Sequence, residues 1–181
     1  MTVGQAPSAE ASERLLDDFA SGQGKSALGT SWVGFSDTVM GGISQMRYGF
    51  ETVHGKPALR LRGRVRLENN GGFIQVALPL AAEGQVLDAS GHQGIRLWVV
   101  GTPGSYAIHL RTSDHWLPWQ YHSAPLPVTP SWRQVDLPFT AFARSGWEVG
   151  RLKPEKLRRL GIVAIKQAFD ADIAVARLSF Y

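Results

Sequence analysis

Leu59-Arg60-Leu61-Arg62-Gly63-Arg64-Val65-Arg66-Leu67 alternates apolar and basic residues; after Glu68 the chain runs through Asn69-Asn70-Gly71-Gly72 into Phe73-Ile74-Gln75-Val76-Ala77-Leu78. Alternation with period two is the signature of a strand that buries one face. Two such runs around an Asn/Gly cluster predict a β-hairpin. The pattern recurs at residues 95–100, a Thr102-Pro103-Gly104 turn, and residues 106–111, where Tyr106, Ile108 and Leu110 share a face. Further strands are expected at 120–123, 133–137, 161–166 and 173–181. Ser12 reads as the cap of a short helical turn through Leu15, Leu16 and Phe19. Pro154 reads as the first residue of a short helix through Leu157 and Leu160, ended by Gly161. Many short strands with no long helix between them predict an all-β protein, a two-sheet antiparallel sandwich with one or two short helices.

Composition agrees with that class. In 181 residues, 44% are hydrophobic and 19% charged, the balance of a folded domain. Twenty glycines and ten prolines argue against a helical bundle, because both residues interrupt helices. The absence of cysteine removes disulfide scaffolds, thiolate metal sites and thiol catalysis. No apolar run reaches the ~20 residues of a membrane helix. Residues 1–13 are small and polar and are expected to form a disordered tail, with 14–181 as a single domain. They contain no basic and apolar leader, so a cytoplasmic protein is expected. The net charge of +4 favours an anionic partner only if it is concentrated somewhere.

Several residue groups carry candidate chemistry, each beside a plainer reading. Arg60, Arg62, Arg64 and Arg66 project from one strand face at ~6.5–7 Å intervals. That ladder offers a polyanion surface for RNA or phospholipid, or it is a solvated face neutralised by Asp and Glu on neighbouring strands. Trp116, Trp119 and Tyr121, beside Arg111, Asp114 and His115, suit a sugar-stacking cleft, a protein-interface hot spot or core filling at a sheet edge. Pro118 makes that stretch a loop or bulge, which favours display. His109, His115 and His122 lack the spacing and acidic partners of a metal site, and no metal or cofactor is expected. His109 is placed on the strand face opposite Tyr106 and Leu110, as a surface or cleft histidine. Asp17 and Asp18 are two oxygen donors where calcium needs six or more. Asp114 and Glu148 are not paired by the sequence, and no nucleophile elbow, phosphate loop or zinc-protease motif is present, so catalysis is not expected.

Two stretches carry a family signature. Asp37-Thr38-Val39-Met40-Gly41-Gly42-Ile43-Ser44 and Leu67-Glu68-Asn69-Asn70-Gly71-Gly72-Phe73 together resemble the complex I intermediate-associated protein family. Residues 88–97, Leu110-Arg111-Thr112-Ser113-Asp114, residues 132–142 and Ile165-Lys166-Gln167 match later family segments in order. The resemblance spans about residues 15–181 and implies a galactose-binding-like jelly roll with one curved sheet face open to a ligand. Its mitochondrial members assist the assembly of respiratory complex I, and related domains are linked to RNA. The expected function is thus a non-catalytic binding protein that recognises a macromolecular partner, a protein above all, in an assembly or chaperone-like role. A carbohydrate-binding module is the alternative, and an RNA-binding accessory protein a further one. Within the signature, Asp37 with Gly41 and Gly42 reads as an anion-binding nest or as a loop-holding Asx-turn. Asn69 and Asn70 read as ligand amides or as positive-φ turn residues. Strand lengths place Asp37, Asn69, Asn70, Arg111 and Lys166 in one polar cluster at one end of the sandwich. Such a cluster either binds a ligand or locks the loops, and mutual satisfaction of its charges favours locking.

Overall fold

The alternation around residue 60 becomes one strand of a two-sheet sandwich in the computed structural model, which describes residues 12–145 and 150–181. The expected tail (1–13) and Glu148 fall mostly outside the described residues. The strands are β1 (Arg14–Asp17), β2 (Val33–Ser36), β3 (Gln45–Val53), β4 (Lys56–Val65), β5 (Phe73–Pro79) and β6 (Gly94–Gly101), followed by β7 (Tyr106–Thr112), β8 (His122–Pro125), β9 (Arg133–Pro138), β10 (Ala143–Arg144), β11 (Leu157–Ile165) and β12 (Phe169–Phe180). One sheet has the order β3-β4-β12-β6-β9 with β1 added beside β12, and the other runs β10-β8-β7-β11-β5-β2. Neighbouring strands are antiparallel in both.

The core lies where the inner faces meet. Leu59, Leu61 and Val65 of β4, with Ile173 and Val175 of β12, pack in one cluster with Ile74 and Val76 of β5 and Ile162 of β11. The β4 alternation therefore does what period two requires: apolar side chains go inward and Arg60, Arg62 and Arg64 stay outside. The expected Leu67 does not join it and is 49% exposed, because the strand has ended at Val65.

Several expectations need correction. Residues 59–67 and 73–78 do not form a hairpin: β4 pairs with β3 and β12, whereas β5 pairs with β2 and β11. Both runs bury apolar residues in the same interior but from opposite sheets, so the Asn-Asn-Gly-Gly segment arches across the edge of the sandwich. The same holds for β6 and β7. The tight hairpin in this half of the chain joins β3 to β4 around His54 and Gly55, both at positive φ (44° and 82°), the hand that two-residue hairpins prefer.

Neither expected short helix forms. Leu15 and Leu16 lie in β1, whose backbone bonds are taken by β12. After Pro154 a single 3-10 turn (Pro154–Lys156) passes directly into β11. Here Leu157 and Leu160 look helically spaced only because a register irregularity interrupts the alternation between Leu157 and Arg159. Short 3-10 turns (Asp37–Met40, Glu68–Asn70, Phe139–Ala141) are the other helical elements among the described residues.

Candidate functional site

The signature residues meet as a lock. Asp37 is fully buried at the start of its 3-10 turn. Its Oδ2 accepts the Gly72 N–H at 2.6 Å and the Ser44 hydroxyl, and its Oδ1 accepts the Ser44 N–H at 3.0 Å. Ser44 Oγ in turn accepts the Arg66 N–H at 2.9 Å, which ties the loop to the end of β4. Burial pushes the Asp37 carboxyl up, and the bonds donated by Gly72, Ser44 and Phe73 more than offset it, holding the group below its ordinary value. The glycines follow from this packing. A Cβ on Gly42 would lie 2.4 Å from Asp37 Cγ, and one on Gly71 2.5 Å from Oδ2. Asn69, at φ 56°, donates from Nδ2 to the Gly41 carbonyl at 3.2 Å. Asn70 is an exposed residue at φ 57°.

Lys166 and Arg111 stand apart from that carboxylate. Lys166 follows β11 at φ 69°; its backbone N–H donates to the Gly72 carbonyl at 3.1 Å, and its side chain is exposed. Arg111 lies on β7 and donates from Nη2 to the Leu117 carbonyl at 3.2 Å. The Asp37 lock is thus made by Ser44 and backbone N–H groups, and these two cations face a different feature.

That feature is a cleft of about 660 Å³ on the outer face of the β7–β11–β5–β2 sheet. Its floor carries His109 and Arg111 from β7, Arg159, Gly161 and Val163 from β11, and Gln75 from β5. Phe35 and Phe73 meet edge to face at its end. Val39, Met40, Gly71 and Gly72 form one bank, and Pro118, Trp119 and Tyr121 the other, with Lys166 also lining it. A side chain at 161 would fill the floor, since a Cβ there would lie 1.9 Å from Gln75 Nε2.

Tyr121 stacks on His109 with ring centroids 4.0 Å apart and an interplanar angle of 13°. His109 is 94% buried by the 6% exposure it retains, and its Nε2 has no hydrogen-bond partner. Burial, then the charges of Lys166 and Arg159, push its pKa down to about 3, so the ring is neutral. Arg111 and Arg159 sit directly opposite each other across the β7–β11 ladder, and burial lowers both below the ordinary arginine value. The Arg159 guanidinium rests 5.3 Å from the Phe35 ring centre.

The other aromatic and acidic candidates divide. Trp119 and Tyr121 line the cleft, whereas Trp116 is 85% exposed outside it. Asp114 is held by Lys153 at 3.0 Å and Lys156 at 3.4 Å. His115 is buried in a relay: the Thr112 N–H donates to His115 Nδ1 at 2.7 Å, His115 Nε2 meets His122 Nδ1 at 3.0 Å, and His122 Nε2 meets the Gly150 carbonyl at 2.9 Å. Because Nδ1 of His115 accepts, its proton sits on Nε2, which fixes the same tautomer in His122. The relay uses both ring nitrogens of each histidine, and among the described residues no cluster could hold a metal ion. Gln120 Oε1 accepts the N–H groups of Trp116 and Leu117, so the loop that presents Trp119 is internally braced. Asp17 spends its two oxygens on the Phe19 N–H and Trp32 Nε1, each at 2.8 Å.

The arginine ladder on the opposite sheet is neutralised within the chain. Arg60 makes a two-pronged contact with Asp172 (2.9 and 2.8 Å) and a third bond to Glu51 at 3.0 Å. Arg64 pairs with Asp170 and Arg66 with Glu68, each at 2.8 Å, while Arg62 lies 3.9 Å from Glu51. The solvated-face reading of these four residues therefore fits the geometry, and the polyanion reading loses its unpaired charge.

Sequence reasoning missed Arg159, Gly161, Gln75, Phe35 and Met40. The first two were hidden by the helical reading of Leu157 and Leu160. Once β11 is set as a strand, Arg159, Gly161 and Val163 fall on the face opposite Leu160 and Ile162.

No relative is found among curated protein sequences. Among solved structures, the fold matches the family 11 carbohydrate-binding module of the cellulosomal cellulase Lic26A-Cel5E of Clostridium thermocellum, with TM-score 0.71, 13% identity and 95% of each chain covered. The same module in complex with a β-1,3-1,4-mixed-linked tetrasaccharide matches with TM-score 0.70 and 13% identity, over 93% of this chain and 94% of that one. A family 30 carbohydrate-binding module of the cellulase Cel9D-Cel44B from the same organism matches with TM-score 0.60 and 15% identity, over 83% of this chain and 90% of that one. These likenesses establish the galactose-binding-like jelly roll. The family model described as complex I intermediate-associated protein 30 (CIA30) matches residues 18–175, the span that holds both the Asp37 lock and the cleft, and the chain belongs to that family.

Proposed function

We propose that the protein is a non-catalytic recognition protein that holds a segment of another protein in the cleft, in an assembly or chaperone-like role. The observation that carries this reading is the make-up of the two banks. Val39 (70% exposed) and Met40 (57%) stand on one side and Trp119 (64%) on the other, all apolar and all in solvent. Large apolar side chains grouped around a concavity are what a protein interface uses for its central contacts. Both banks are braced, one by Asp37 and the other by Gln120, so little order is lost on docking. Membership of a family described by its association with complex I intermediates supports the same reading.

The test is capture of partners on immobilised protein from a lysate of the source organism, with Met40→Ser/Trp119→Ala compared against Arg62→Gln on the opposite face. A partner lost with the first and kept with the second is the expected result. Equal capture by both places the interface elsewhere.

A second reading, carbohydrate binding, is favoured by Trp119 and the Tyr121–His109 stack, flat faces suited to sugar rings. Against it, the cleft lining among the described residues holds no carboxylate to accept from sugar hydroxyls. Titration with mixed-linked β-glucan oligosaccharides separates the readings. Quenching of tryptophan fluorescence that Trp119→Ala abolishes would establish the carbohydrate module.

A further inference from the structure

Several arginines on the sheet faces are answered by a carboxylate. Arg60, Arg64, Arg66, Arg96 and Arg177 each contact Asp or Glu within 3.5 Å. Arg111 and Arg159 are not answered in this way, and their placement is unfavourable. They are direct cross-strand neighbours, a like-charge pairing that weakens a sheet. Both are half-buried, and among the described residues neither has a carboxylate within salt-bridge distance. What they do have is one backbone carbonyl, Leu117, and one aromatic face, Phe35. Lys166 adds a third positive charge to the same lining.

Two guanidinium groups carried by facing positions of neighbouring strands, lining a cleft with no carboxylate among the described residues, match a carboxylate better than any other protein group, because each fork binds carboxylate oxygens in its own plane. The apolar banks then set what must flank that carboxylate. We infer that the cleft takes an acidic segment of a partner protein, with an Asp or Glu side chain seated between Arg111 and Arg159 and apolar neighbours against Met40 and Trp119. This rests on the proposal that the cleft holds a protein segment, and it names that segment's chemistry. The aliphatic bank of Val39 and Met40 favours such a peptide over an anionic polysaccharide, because flat faces for sugar rings stand on the Trp119 side alone.

The probe is a phage-displayed random peptide library selected on the immobilised protein, followed by binding measurements on the enriched peptides. Enriched sequences are expected to carry Asp or Glu beside apolar residues. Replacing that acid by its amide should weaken binding about tenfold or more, and Arg159→Gln should cost the same factor without adding to it. Raising salt from low to molar concentration on the unmodified protein should reproduce the loss, which keeps the test valid if Arg159→Gln does not fold. Trp119→Ala should weaken the acidic and the amidated peptide alike.

Peptides that bind through Trp119 with no acidic residue and no salt dependence would overturn this inference and leave the protein-segment reading standing. A library without binders, together with saturable binding of oligogalacturonate at the cleft, would overturn both.

Discussion

On the outer face of the first sheet, Arg60 is gripped by Asp172 and Glu51, and Arg64 by Asp170 on the adjoining strand. On the outer face of the second, Arg111 and Arg159 confront each other with a cleft above them and, among the described residues, no acidic side chain in its lining. In sequence the first group is far more conspicuous: four arginines in seven residues, against two arginines 48 positions apart. The difference teaches that a charge run becomes a site only if its neighbours leave it unanswered. β12 carries Asp170 and Asp172 opposite Arg64 and Arg62, whereas β11 brings Arg159 to Arg111.

The sharpest contrast to test is the lock beneath the cleft bank, which has no counterpart on the ladder face. Asp37→Ala strips acceptors from the Gly72 and Ser44 N–H groups, and urea unfolding should show a loss of about 3 kcal/mol. Because the folded carboxyl lies below its ordinary 3.8, the stability it contributes is present above that pH and lost as pH falls through the lower folded value. A variant that unfolds like the unmodified protein would mean that the signature is not a lock.

Next comes His109. It stays neutral in the fold to about pH 3, while the unfolded chain takes up a proton near 6.5. Stability should therefore fall as pH drops from 6.5 towards 3, by up to about 1.4 kcal/mol per pH unit from this residue. His109→Phe preserves a ring against Tyr121 and should flatten that slope in melting curves taken from pH 7 to 4. An unchanged slope would mean that the cleft floor is wetter than its packing implies.

On the ladder face, effects should be smaller. A double-mutant cycle on Arg60 and Asp172 should give a coupling of about 0.5–1 kcal/mol, shrinking with salt, as for a half-exposed two-pronged pair. Arg62→Gln with Arg64→Gln should move stability by less than about 0.5 kcal/mol and leave retention on heparin unchanged. A clear drop in heparin retention would break the comparison, since it would show the ladder open to polyanions despite its carboxylates.

Much of this was legible along the chain. Leu59, Leu61 and Val65 gave β4, and Tyr106, Ile108 and Leu110 gave β7, because period two leaves an unambiguous trace where one face is buried. Which sheet a strand enters leaves no such trace. Residues 59–65 and 73–78 look like hairpin arms, and only packing of their apolar faces against each other, not edge to edge, sends them to opposite sheets. β3 was missed although Met46, Tyr48 and Phe50 alternate, since its turn is His54-Gly55, where a hairpin signal is ordinarily Asn-Gly. At the site, the lock residues Asp37, Gly42, Gly71 and Gly72 stood out as a motif. Arg159 and Gly161 could not, because β11 carries apolar residues on both faces and so lacks alternation.

The placement of β12 has a consequence for how the protein is made. The strand at the middle of the first sheet follows all the other strands of the sandwich in chain order, and β4 and β6, which flank it together with β1, are complete about seventy residues or more before it. On the ribosome, β3 and β4 can pair as a hairpin, and β5 has yet to meet β11, but the first sheet has an empty central lane until residues 169–180 emerge. For that interval both β4 and β6 present unpaired backbone edges, beside inner faces that carry Leu59, Leu61, Ile95 and Leu97. Translation pauses or truncations before residue 169 should therefore yield aggregating, protease-sensitive chains, because the sandwich has no stable shorter version of itself.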